Sequence, residues 1–383
     1  MLGFGLVIPV LPFYSLNVGA SPFDIGLLLT TYSFMQFIFS PYWGKLSDKY
    51  GRKPFLIIGL GGFGLAFSIF GLSNSLWQLY FSRIIGGIIS SAAIPSAMAY
   101  IGDNSPREKI GHYMGLAGAS MGLGIILGPV IGGYVSLISL SAPFFLASAL
   151  AFSLIPIVMV FICDTNLSKY KITNIKSPTF SQLFNNQIGP YLGYALILSF
   201  AIANLEGTFA LFTNEKFGFG TVEVGNIFAF VGFISVVVQI RFVGNLINKF
   251  GEDKLISFGF ILISTAFFLI IVSWQIANLI ISMALIGVAM GILRPSISSK
   301  ISKNAKEYRG QSLGLMSSMD SLGRILGPSI GCFLFEFDIN FPYFIGMSIS
   351  LIGFLLFKRF WNKFMPNDNS DQNNGEPYPK EIL

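Results

Sequence analysis

Four ionisable side chains lie deep within otherwise apolar stretches of this 383-residue chain: Arg83, Glu206, Asp320 and Arg324, with the amide Asn204 two residues before the glutamate. Glu206 has no basic residue within a helical turn along the chain. An apolar setting strips a carboxylate of hydration, so its ionised form must be offset by a cation or abolished by a proton. Glu206, with Asn204 beside it, is therefore the first candidate for proton coupling or cation recognition. The alternative is a hydrated residue in an external vestibule. Asp320 and Arg324 stand four residues apart, the spacing at which two helical side chains meet, and are expected to neutralise each other rather than couple directly. Arg83 can pair with a carboxylate or polarise a proton path. Arg241 and Arg294, nearer the ends of their apolar runs, are expected to snorkel. One histidine, His112, and two cysteines, Cys163 and Cys332, provide no metal site and no disulfide framework. Neither a phosphate-binding loop nor a Ser/His/Asp grouping is present. These absences point away from enzymatic catalysis, cofactors and ATP hydrolysis, and toward work drawn from gradients or diffusion.

The elements that must position these groups are membrane helices. The chain is 53% hydrophobic and 11% charged, with 40 Phe and 42 Gly, against about a quarter charged in soluble domains. A hydrocarbon core of about 30 Å needs about 20 apolar residues per helix. Twelve such runs are read at 2–17, 23–43, 54–73, 76–100, 111–135, 142–162, 189–212, 223–245, 254–273, 277–299, 311–335 and 341–361. They are continuous rather than alternating, which excludes a transmembrane barrel. The expected class is all-α, with twelve transmembrane helices in two pseudo-symmetric six-helix bundles. The bundles are expected at 1–163 and 189–361, joined by a polar linker at 164–188 and followed by a disordered tail at 362–383.

The duplication rests on matched punctuation. Residues 113–133 laid over 312–332 coincide at ten of 21 positions, among them Gly124/Gly323, Gly128/Gly327, Pro129/Pro328 and Gly132/Gly331. The turn Gly44 to Lys53 is echoed at 244–251 through Gly44/Gly244, Lys49/Lys249 and Gly51/Gly251. Basic residues gather in the loops at 44–53, 101–110, 163–188, 246–253 and 300–310 and in the tail, whereas Lys216 alone marks the other side. That bias places these loops and both termini in the cytoplasm. The net charge of +6 then reflects topology, and no nucleic-acid partner is expected because no basic cluster is interleaved with aromatic residues. The first run is only about sixteen residues long and starts at Met1 without a basic flank, from which a short upstream stretch is expected.

Gly44-x-Leu46-Ser47-Asp48-Lys49-x-Gly51-Arg52-Lys53, between the second and third runs, resembles the signature loop of the major facilitator superfamily. Gly124-x-x-x-Gly128-Pro129-x-x-Gly132-Gly133 in the fifth run is similar to the motif of its proton-linked antiporters, drug exporters above all. Arg83-x-x-x-Gly87 resembles a third motif of the family. The resemblance implies that Asp48 docks on the start of the eleventh helix and that Arg52 meets an acid at the end of the fourth, for which Asp103 is the candidate. Together these groups would form a latch that is closed when the transporter faces outward. It also implies that the glycine ladder packs a bundle interface tightly enough to favour exchange over leak. Many exporters of this type carry an acid in or just before the first helix, and Met1 to Gly5 hold none.

The expected function is proton-coupled efflux of small amphipathic or cationic compounds by alternating access, by a monomer in the plasma membrane. Its expected partners are substrate, protons and lipid. Metabolite or sugar uptake is the alternative, disfavoured by the few amide and hydroxyl groups in the first, fourth, seventh and tenth runs. A transport-inactive sensor or scaffold is more distant, since no large soluble domain accompanies the helices.

Overall fold

A computed structural model describes residues 1–106, 109–163, 188–305 and 309–364. The expected linker up to residue 187 and the tail beyond Phe364 lie outside the described residues. The described residues build twelve spans. The first consists of α1 (Leu2–Val7) and α2 (Leu11–Asn17); α3 (Pro22–Tyr50) and α4 (Arg52–Leu72) are the second and third. The fourth is α5 (Leu76–Ser90) with α6 (Ala93–Asn104), followed by α7 (Ile110–Val135) and α8 (Ala142–Phe161). The second half runs through α9 (Gly189–Phe217), α10 (Thr221–Arg241) continued by α11 (Val243–Phe250), α12 (Glu252–Ile271), α13 (Ile276–Asn304), α14 (Arg309–Phe335) and α15 (Phe341–Phe364).

Nine helical stretches among the described residues are both long and apolar enough to cross a bilayer. The other three spans fall short for local reasons. Pro9 lies between α1 and α2, where its missing amide interrupts the first span. Asp320, Arg324 and several serines dilute α14, and the apolar part of α15 ends at Leu356. α15 itself continues three residues beyond the expected limit at 361. Large apolar side chains face outward around the molecule, Phe81, Phe161, Ile240 and Phe268 among them, the surface expected of a protein whose solvent is lipid.

The repeat in sequence is a repeat in backbone. Gly51 and Gly251 end α3 and α11 at φ 99° and 78°, conformations in which an L side chain is strained. Ser21 caps α3 reciprocally with Asp24, its Oγ accepting from Asp24 N at 3.1 Å while Asp24 Oδ2 accepts from Ser21 N at 2.9 Å. At the matching place in the second half, Gly220 N donates to Glu223 Oε2 at 2.9 Å.

Within the first half α7 packs on α1, and α4 packs on α5 and α8; within the second, α14 packs on α9, and α12 on α13 and α15. The halves meet along two seams, α3 on α14 and α7 on α10. Both seams lie toward the end that is remote from the basic turns at 44–53 and 246–253. A Cβ on Gly26 would lie 2.5 Å from the Pro328 carbonyl oxygen, and one on Gly225 would strike that of Pro129. Thr30 donates to the Ile325 carbonyl at 2.8 Å, and the Ser136 and Thr221 hydroxyls meet at 2.5 Å. At the basic end the same helices part: Gly115, Gly118 and Gly314 would have a Cβ in open space, and Tyr113 and Leu116 are exposed. The molecule is closed at one end and open at the other.

Candidate functional site

A cleft between the halves, about 540 Å³ of space that is partly open, is lined by Phe4, Ile8, Leu11 and Pro12 of the first span, Leu29, Tyr32 and Ser33 of α3, Arg83 of α5, Ala203 and Glu206 of α9, and Arg324 and Pro328 of α14. Arg83, Glu206 and Arg324, far apart in the chain, thus share one cleft. Glu206 is only partly covered there, and the charges that act on it are Arg324 and Arg294 of other helices.

Arg83 is 4% exposed, and its Nε and Nη2 have no hydrogen-bond partner. Its guanidinium carbon lies 4.4 Å from the Phe70 ring centroid, with Tyr32 and Phe67 at 5.9 and 6.0 Å. Stacking on ring faces attracts a cation without satisfying its N–H groups. Gly87 brings α3 against α5 here, since a Cβ would lie 2.6 Å from Met35 Cβ and 2.7 Å from the Tyr32 carbonyl. Tyr32, whose hydroxyl meets Ser90 Oγ at 3.0 Å, is a cleft residue that sequence reasoning missed; a single tyrosine in an apolar run carries no distinguishing signal.

Three expectations are corrected. Asp320 does not neutralise Arg324: Ser199 Oγ donates to Asp320 Oδ1 at 2.5 Å and Arg294 Nη2 to Oδ2 at 3.3 Å. Arg324 and Asp320 share a helix face by spacing, yet α9 and α13 present closer partners to the acid. Arg294 accordingly does not snorkel free but bridges α13 to α14. Asn204 does not line the cleft: its Nδ2 donates to the Pro342 carbonyl at 2.7 Å, and its side chain fills the space that Gly331 leaves.

The glycine ladder has a different partner from the one expected. On Gly124 a Cβ would lie 2.7 Å from Leu2 N and on Gly128 2.6 Å from Gly5 Cα, while on Gly132 it would strike the Leu6 carbonyl. These three glycines seat α7 on α1 within the same half. Gly133 and the Pro129 carbonyl instead reach across, to Thr221 and Gly225 of α10. The arrangement recurs as α14 on α9 through Gly323, Gly327 and Gly331, with the Pro328 carbonyl facing Gly26 across the other seam.

At the basic end Arg52 Nε donates to Asp103 Oδ2 at 2.9 Å and Nη1 to Ser47 Oγ at 3.3 Å. Asp48 pairs with the same guanidinium and has a side chain 65% exposed; residues 306–308, which lead into α14, lie outside the described residues. Lys49 lies over the neighbouring Tyr50 ring, Lys53 Nζ donates to the Met159 carbonyl at 2.8 Å, and a Cβ on Gly44 would meet open space. The second half holds two ion pairs that sequence reasoning missed. Glu252 pairs with Lys303, and Lys300 Nζ donates to Asp253 Oδ2 at 2.5 Å. Glu252 and Lys303 stand 200 residues after Arg52 and Asp103, so the two halves carry the same bridge with its charges exchanged. That exchange supplies a test. Arg52→Glu or Asp103→Lys alone should lower turnover, and the double variant, which copies Glu252 and Lys303, should recover most of it. Coupling between contacting charges runs about 0.5–3 kcal/mol, so roughly 2- to 150-fold separates the singles from the double in a transport assay at equal expression.

The profile of the Major Facilitator Superfamily matches residues 1–242 and 241–381. Multidrug resistance protein 2 of Bacillus subtilis (strain 168) is 31% identical over 360 residues, covering 92% of this chain and 90% of its own. Quinolone resistance protein NorA of Staphylococcus aureus (strain COL) is 29% identical over 357 residues, covering 93% and 92%. Among solved structures, a variant of the nucleoside transporter NupG superposes with a TM-score of 0.79 at 13% identity, covering 94% of this chain and 96% of its own. An inward-facing, occupied bacterial homologue of the human lysosomal transporter Spinster superposes at 0.77 with 14% identity and 94% of each chain. At such identities these two structures speak for the fold alone.

Proposed function

The chain belongs to the major facilitator superfamily, and from that premise we infer that it is a multi-pass plasma-membrane exporter of small amphipathic compounds, driven by inward movement of protons. The observation that carries this reading is Glu206 in a cleft between two halves that are closed at one end and open at the other. Such a molecule works by alternating access, exposing one site first to one side and then to the other. Two relatives that cover nine-tenths of the chain are named for drug resistance, which supports export of more than one compound.

The basic end is the cytoplasmic end in this proposal, which makes the described conformer inward-facing and its latch released. An exposed Asp48 accords with that state. Arg52, held by Asp103, stays ready to present Asp48 when the seams at the far end open. Cysteine introduced at Asn74 or Ser139, both exposed at the far end, should label from outside intact cells, and cysteine at Ser177 from inside only. External labelling at Ser177 would overturn the orientation and the latch with it.

Substrate and proton share Glu206 in this scheme. The aromatic and aliphatic walls of the cleft hold the body of the compound, and of its lining only Tyr32 and Ser33 offer hydroxyls. A polyol would leave most of its own hydroxyls unpaired there. The deciding experiment is export from proteoliposomes with and without an imposed pH gradient, for the native chain and Glu206→Gln.

A further inference from the structure

Given that the transporter alternates by parting its far-end seams, we propose that Glu336 is a positioning residue of the cycle: its carboxylate, carried by the second half, caps α3 of the first half and biases the far end toward closure. The first turn of α3 satisfies most of its own free N–H groups. Ser21 N donates to Asp24 Oδ2, Asp24 N donates to Ser21 Oγ, and Pro22 has no N–H to place. Phe23 N is the donor that remains, and it donates to Glu336 Oε1 at 3.1 Å, across the boundary between the halves. The free N–H groups and the dipole of a helix start both attract a carboxylate. No cation competes for it. Glu336 forms no ion pair among the described residues, and Lys216, the one base described at the far end, donates to the Ile271 carbonyl at 3.2 Å. The Phe333 ring, one turn earlier, meets the Phe23 ring edge-on with centroids 5.6 Å apart, so the end of α14 grips the first turn of α3 by an aromatic pair and a charged cap together. Further in, the seam continues through Gly26 and Pro328 and then Thr30 and Ile325. Glu336 thus stands at the outer edge of the contact, where separation of the halves starts. The repeat does not supply this clasp twice. With 113–133 laid over 312–332, the place of Glu336 is held by Leu137, and the seam of α7 on α10 closes through the Ser136 and Thr221 hydroxyls instead. Glu336 is exposed, so water takes over its contact when the seam parts. The clasp therefore sets an equilibrium and does not lock it.

The test places spin labels at Asn74 and Gln275, exposed far-end positions in the two halves, on the purified full chain in lipid nanodiscs, and reads the ratio of long to short distances without substrate or gradient. Glu336→Ala should raise that ratio by roughly 2- to 30-fold, the range for loss of a capping side chain. Glu336→Gln keeps the acceptor oxygen and loses the charge, so its ratio should fall between those of the native chain and the alanine variant. Asp338→Ala is the control. It removes the same charge two residues away, where the side chain accepts from Asn340 N at 2.7 Å within its own half, and it should leave the ratio unchanged. A ratio that Glu336→Ala does not move, or that Asp338→Ala moves as far, overturns the clasp. Export is judged separately, by accumulation in proteoliposomes. Distances that shift in a chain that expels nothing leave the clasp standing and sink the export reading; distances that stay fixed in a chain that exports sink the clasp alone.

Discussion

Glu206→Gln should abolish gradient-driven export and leave exchange of substrate for substrate running. Glutamine keeps the shape and hydrogen-bonding reach of a protonated carboxyl group but can neither lose nor gain a proton, so the variant is fixed in one half of the cycle. With one proton exchanged per substrate, a gradient of one pH unit sustains roughly tenfold accumulation. The variant should reach a ratio of about one, whatever gradient is imposed, because nothing then links the two fluxes. Exchange needs no net protonation; it requires only that the loaded cleft reorient, and the seams that govern reorientation lie elsewhere, at Gly26 and Gly225. Two proteoliposome assays separate the outcomes. Full proton-driven accumulation in the variant would move coupling to Asp320, whose Ser199 and Arg294 partners would then have to release it during the cycle.

The parts of this molecule that were legible in the sequence are those written along the chain. Composition and run length report the solvent, and glycine and proline positions report the turns, so the twelve spans and the repeat follow directly. Gly51 and Gly251 match in sequence and both adopt positive φ, because the same turn needs the same residue. Arg52 and Asp103 were paired from the resemblance, and their side chains meet at 2.9 Å. What the sequence leaves unwritten is which neighbour a side chain selects across space. Asp320 has Arg324 four residues away and still binds Arg294 on α13 and Ser199 on α9. Spacing along one helix says which groups share its face and nothing about what the next helix brings to that face. Asn204 followed the same logic, since two positions before Glu206 on a helix is nearly the opposite side, and its amide accordingly reaches Pro342 rather than the cleft. The bridge between Glu252 and Lys303 escaped notice because exchanged charges do not match as letters, although they match in place.

Alanine at Gly26 and Gly225 together should hold the transporter open at the far end. Each glycine lies where a partner helix presents a backbone carbonyl, Pro328 to Gly26 and Pro129 to Gly225, and a methyl group on Gly26 would also approach Cys332 Cβ to 2.7 Å. Backbone cannot turn aside as a flexible side chain can, so closing the seam over two methyl groups requires the halves to move apart. Overpacking of this kind costs about 1–3 kcal/mol per site, and the two seams are separate. Glycine to alanine also favours the helix by about 1 kcal/mol, but that gain is common to both conformations and cancels from the equilibrium between them. The population of the far-end-closed state should therefore fall by roughly 5- to 150-fold for each substitution. Gly115→Ala with Gly314→Ala is the opposing pair: both positions stand in open space at the basic end, so they cost nothing in the described conformer and crowd the one in which that end shuts. Spin labels at Asn74 and Gln275, exposed far-end positions in the two halves, read the difference. Their separation should lengthen in the first pair and stay short in the second. Identical distance distributions in both pairs would mean that closure is governed away from these seams and that the glycines serve packing alone.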